Sequence, residues 1–236
     1  MGIPPAVLRF AALAVAVVAW FVAAPHLPGV SLWTAVVLVS FVIMPVTLLL
    51  VPLALPLYDR RWLIAGAGAL AVAAFAFSEL GWGLPANFAK FFAAVLAGWA
   101  FLVLFEQLSW VVIVACIIPF VDAYSVWRGP THTITAHHFH VYTDVAIAFL
   151  VPGGRAAYLG PPDVLFYALF LAAAARWGLR VWGTWAATTF MYAITIVIAT
   201  AANIGGLPAL PFLSFGFLVA NADLLWSTFR RTSSPE

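Results

Sequence analysis

The chain has 236 residues, of which 66% are hydrophobic and only 8% charged, with a formal net charge of +2. A soluble domain is about a quarter charged, so this composition excludes a water-covered globule and places the chain in a lipid bilayer. So small and scattered a charge excludes a nucleic-acid partner, and the single cysteine, Cys116, excludes a disulfide framework.

A spanning helix needs about 20 apolar residues. In chain order the candidate spans are residues 5–24, 31–57, 62–80, 87–105, 108–127, 157–176, 179–201 and 207–227. The first lacks a small-residue cleavage site and reads as a retained anchor. The stretch 87–127 is too long for one span, so a tight turn is expected at Glu106 and Gln107. No repeat or soluble unit interrupts the chain. It reads as one all-α transmembrane domain, 1–236, with N-terminal helices in 1–107 and the chemistry in 108–236. With the N-terminus inside, Arg9, Arg60, Arg61, Arg176, Arg180, Arg230 and Arg231 fall inside, against Lys90, Arg128 and Arg155 outside. This satisfies the positive-inside rule. It puts the long loop 128–156 outside and the C-terminus in the cytoplasm.

Two carboxylates sit inside apolar runs. Asp122 lies five residues before Trp127, and Asp163 six residues after Ala157. At the rise of a helix, both would lie roughly 8 to 9 Å below the outer boundary. An ionisable residue at such depth is costly and is by default a functional hypothesis. Two at one depth suggest a pair sharing a proton, because close like charges cannot both ionise. Each could instead cap a helix end or snorkel to the interface. Glu79, Glu106 and Asp223 lie at helix ends and read as interface charges.

The surrounding residues carry a family likeness. Asp122, Ala123, Ser125, Val126, Trp127 and Arg128 resemble the sixth helix of presenilin-type intramembrane aspartyl proteases, closest to the archaeal members. Leu159, Gly160, Asp163, Phe166 and Tyr167 look like that family's Leu-Gly-x-Gly-Asp motif. Pro208, Ala209 and Leu210 match its Pro-Ala-Leu. The likeness covers residues from 108 to the C-terminus, and the family has nine spans where eight are counted here. Val121 replaces a tyrosine and Pro162 a glycine. Proline fixes φ and stiffens the loop before Asp163.

The resemblance implies a presenilin-like bundle and peptide hydrolysis within membrane segments or signal-peptide remnants, with Asp122 and Asp163 catalytic and no cofactor or metal. It also implies a prokaryotic cell membrane. Gly160, Pro208, Ala209 and Leu210 would support the site. The β-prone run 145–152, with Ile147, Ala148, Phe149 and Leu150 at its centre, resembles the family's strand that pairs with an extended substrate. Pro208, by removing a helix bond, would leave main-chain groups to hold the substrate's other edge. Pro119, residues 160–162 and residues 205–211 would be irregular elements lining a water cavity. Accessory subunits are not readable from the chain.

Other classes remain. One is a catalytically silent scaffold that binds membrane helices, and another is a proton or ion conductor using the buried carboxylates. His132, His137, His138 and His140, near Asp144, could bind metal or sense pH, or could simply form a solvated loop face.

Overall fold

The structure, a computed structural model, describes residues 4–57, 60–128, 139–204 and 207–232. Its elements are α1 (Pro5–Ala23), α2 (Leu32–Ala54), α3 (Leu63–Glu79), α4 (Gly83–Val103), α5 (Leu108–Trp127), α6 (Phe139–Val145), β1 (Ile147–Leu150), β2 (Ala156–Leu159), α7 (Pro161–Arg176), α8 (Val181–Ala201) and α9 (Leu210–Thr232). Each of the eight apolar stretches forms a helix at its predicted place. Six of these are long and apolar enough to cross a membrane: Pro5–His26, Leu32–Ala54, Gly83–Val103, Leu108–Trp127, Val181–Ala201 and Leu210–Thr228. The chain is therefore an all-α, multi-pass membrane protein by length and composition. The exceptions are α3, 17 residues long, and α7, 16 residues long.

Local chemistry explains several boundaries. Ser31 caps α2, its hydroxyl accepting from the Thr34 N–H. Within α2 a π-turn at Val39–Ile43 directly precedes Pro45. That proline has no N–H to give the ladder, and widening is a usual accommodation. Pro161 and Pro162 occupy the first turn of α7, where a missing N–H is harmless. Pro119 was expected to be an irregular element, yet it lies inside the unbroken α5.

The centre of the bundle is α7. Its residues Tyr167, Ala168, Leu169, Phe170, Leu171, Ala172, Ala173 and Ala174 are all buried. A helix apolar and buried on every side belongs in the core of a bundle. Lipid is as apolar as leucine, so close van der Waals contact rather than dehydration must hold such helices together. Gly98 on α4 supplies that contact, because a Cβ there would sit 2.2 Å from the Leu165 carbonyl oxygen. Phe170 stacks on Phe217 of α9 with centroids 4.6 Å apart. On one flank α4 carries α3, and on the other α8 carries α9, which carries α5.

Of the predicted boundaries that shift, two matter for the site. The span 157–176 becomes helical only at Pro161, because Ala156–Leu159 is a strand antiparallel to β1. Asp163 is thus the third residue of its helix, and a depth counted along a helix from Ala157 does not apply. The last span begins at Leu210. Pro208 therefore precedes α9 and interrupts no helix.

Candidate functional site

Asp122 sits one turn before the end of α5, half-buried, and faces the start of α9. The Leu210 N–H donates to its Oδ2 at 3.0 Å. The first N–H groups of a helix have no partner within it. Here the missing partner is supplied by a residue 88 positions upstream. This corrects the expectation for Pro208, Ala209 and Leu210. The Leu210 N–H is spent on Asp122 and does not wait for another strand.

Asp163 is held differently. Its Oδ2 accepts from the Gly160 N–H at 3.0 Å, so the carboxylate folds back over the start of its own helix. A Cβ on Gly160 would lie 3.1 Å from that oxygen, so glycine supplies the space. From α8 the buried Tyr192 hydroxyl donates to the Asp163 carbonyl oxygen at 2.8 Å. Behind it, Tyr167 packs on Tyr192 with ring centroids 6.0 Å apart, and its hydroxyl donates to the Leu48 carbonyl of α2.

The two carboxylates lie within electrostatic range of each other. Tyr142 of α6 is close to both. Burial pushes its phenol up to about 12, and the Asp163 and Asp122 charges add to the shift. A cavity of about 500 Å³ opens beside Asp163, bordered by Tyr142, Tyr158, Leu159, Tyr192 and Ala209 among others. Polar tips and apolar walls converge there, and the volume admits a peptide segment of a few side chains together with water.

The hairpin leads directly into this site. Ile147 pairs with Leu159 and Phe149 with Ala157, while the Val151 N–H donates to the Arg155 carbonyl at 2.9 Å. The turn needs Gly153 and Gly154, with φ of +85° and +75°. The Arg155 guanidinium bonds the Val30 carbonyl and ties the turn to the loop before α2. Alternation then directs the main chain of Ala148 away from β2, and Asn87 meets it there. The Ala148 N–H donates to Asn87 Oδ1 at 2.7 Å, and Asn87 Nδ2 donates to the Ala148 carbonyl at 2.9 Å. Ile147, Ala148, Phe149 and Leu150 do form the expected strand. Its two edges, however, are taken by β2 and by side chains, so it is not a vacant edge. The same alternation turns the main chain of Ala156 and Tyr158 away from β1.

Several of these participants carried no obvious signal. Tyr192 is an isolated polar tip in an apolar helix, and Tyr142 lies in a short polar one. Asn87 and Lys90 are the better clue, because a polar pair at i and i+3 on an apolar helix marks one face. His132, His137 and His138 lie outside the described residues, as does the side chain of His140. Asp223, expected to be an interface charge, is exposed and pairs with Arg180 at 2.5 Å. Among the described residues no three potential metal ligands come together. The chain matches no protein-family model, no curated protein and no solved structure.

Proposed function

We propose that the chain is an intramembrane aspartyl endopeptidase that hydrolyses peptide bonds in transmembrane segments or signal-peptide remnants. The observation that carries this reading is that Asp163 borders a cavity which also reaches Ala209, the neighbour of the Leu210 N–H that holds Asp122, and that the two carboxylates lie within electrostatic range of each other. In a dyad, one carboxylate takes a proton from water as its oxygen adds to the peptide carbonyl carbon. The other, protonated, donates to the carbonyl oxygen. Collapse of the tetrahedral intermediate breaks the C–N bond, and the amine leaves with a proton from the pair. The two groups titrate as a unit, so neither role belongs to one named aspartate. The Gly160 and Leu210 N–H groups hold the carboxylates, Tyr192 holds the Asp163 main chain, and none of the three reacts.

A helical substrate hides its scissile bond and must be extended. Strand addition does this while remaining tolerant of sequence. In this reading the substrate lies along the outer side of β2, beside Ala156 and Tyr158. Tyr158 and Leu159 border the cavity that Asp163 enters, so the added strand runs past the dyad. Orientation follows the arginine distribution, with the hairpin end outside.

The silent scaffold has one observation in its favour. Both carboxylates accept from main-chain groups at helix starts, which gives each a structural use. The test is cleavage of a model transmembrane peptide by the reconstituted protein. Asp122→Asn and Asp163→Asn should each lose about a thousandfold or more, the scale seen when an essential acid–base group is removed. The rate should follow a bell in pH, because only the singly protonated pair works. Substantial activity in either variant rejects the dyad. An inactive wild type that still binds the peptide selects the scaffold.

A further inference from the structure

The outer edge of β1 is closed along its length by side chains from two helices. Lys90 Nζ donates to the Ala146 carbonyl at 2.9 Å and to the Asp144 carbonyl at 3.0 Å. Asn87, one turn earlier on α4, takes both main-chain groups of Ala148. Trp20 of α1 donates its indole N–H to the Leu150 carbonyl at 3.0 Å. These are the outward groups of alternate residues, 146, 148 and 150, which a neighbouring strand would bond. Asn87 is the centre of the set. Its amide presents one donor and one acceptor side by side, as a strand's peptide group does, and the residue is only 8% exposed.

We infer that Asn87 acts as a surrogate strand, closing the β1 edge so that an extended peptide adds only on the β2 side, next to Asp163. The inference rests on the protease reading for the identity of that peptide, but not for the closure itself. An exposed strand edge is a template for any extended chain. On the β1 side, such a chain would be separated from Asp163 by the width of the hairpin, bound but uncut. Closing that edge removes a competing, unproductive mode without touching the chemistry. Negative design of this kind raises specificity by penalising the wrong partner geometry. Asn87 is a positioning residue, since it meets neither the cavity nor the carboxylates.

The test uses the full-length protein in liposomes with a transmembrane peptide carrying one cysteine. Cys116→Ala is the background, into which Ala148→Cys or Ala156→Cys is placed. With Asn87 intact, the peptide should crosslink at position 156 and not at 148. In Asn87→Leu, crosslinking at 148 should appear, and amide exchange over residues 146–150 should quicken about tenfold, the scale of one buried hydrogen bond. If the new mode competes with the productive one, kcat and KM should fall together, leaving kcat/KM and the pH profile unchanged. Trp20→Phe removes one bond of the same edge and keeps the ring, so it should show a smaller shift in the same direction if Asn87→Leu does not fold. Crosslinking that stays at 156 alone in both variants, with kcat and KM unchanged, overturns the inference. Crosslinking at 148 with Asn87 intact overturns it as well. No crosslink at either 148 or 156 in any variant, alongside tenfold faster exchange in Asn87→Leu, rejects the protease reading and leaves the edge closure standing.

Discussion

Asp122 and Asp163 are both held by main-chain N–H groups, but the groups come from different distances. Asp163 is fixed by its own helix start, three residues away, and that helix is wedged in the centre of the bundle. Asp122 is fixed by α9, reached through 88 residues of chain, and rides on α5, of whose apolar window only 11% is buried. One half of the site is local and encased. The other is a contact between two helices on the periphery, and its geometry is only as good as their packing. A disturbance can therefore reach one carboxylate without the other.

Gly98→Ala should have the largest effect and act on the Asp163 half alone. Its Cβ would lie 2.2 Å from the Leu165 carbonyl oxygen, so α4 and α7 must separate. Overpacking costs about 1 to 3 kcal/mol. The melting temperature and the cleavage rate should fall, while amide exchange at Ala209 and Leu210 stays slow. Faster exchange there would mean that the two halves are mechanically joined. Next is the pair Asp122→Ala and Asp163→Ala, both inactive on the dyad reading. Removing Asp122 strips α9 of a remote acceptor and leaves part-buried donors unmade, at about 1 to 3 kcal/mol. Removing Asp163 loses a local cap, at about 1 kcal/mol. Exchange mass spectrometry should show the start of α9 loosened in the first and the start of α7 in the second. Equal, global loosening in both would erase the distinction. The smallest effect belongs to Pro162→Gly. Pro162 is exposed in the first turn of α7, and the change frees the unfolded chain by about 0.4 to 1 kcal/mol. Melting temperature and activity should both drop slightly. A gain in activity would show that the proline holds Asp163 back.

The local half was the more legible in sequence. Gly160, the prolines and Asp163 lie within a few residues, and helix-start chemistry acts over that range. The apolar stretches likewise marked every long helix, because bilayer thickness fixes length. What could not be read is non-local. No spacing rule joins Asp122 to Leu210, Tyr192 to the Asp163 carbonyl, or Asn87 to Ala148. The strand boundary at Ala156–Leu159 failed for a related reason. An apolar run of that length suits a helix or a strand alike, and only pairing with β1 decides between them.

The bond from Leu210 to Asp122 also has a consequence in time. A ribosome adds residues from the N-terminus onward, at about 5 to 20 per second. Asp122 therefore reaches the membrane seconds before the segment that clasps it. Until α9 has been inserted, α5 carries a carboxylate without the N–H that donates to it. On the proposed reading, the chain is surrounded during its synthesis by membrane segments of its own. Because the closing contact comes from α9, the proposed site is completed only after the helices that precede α9 are already in the membrane.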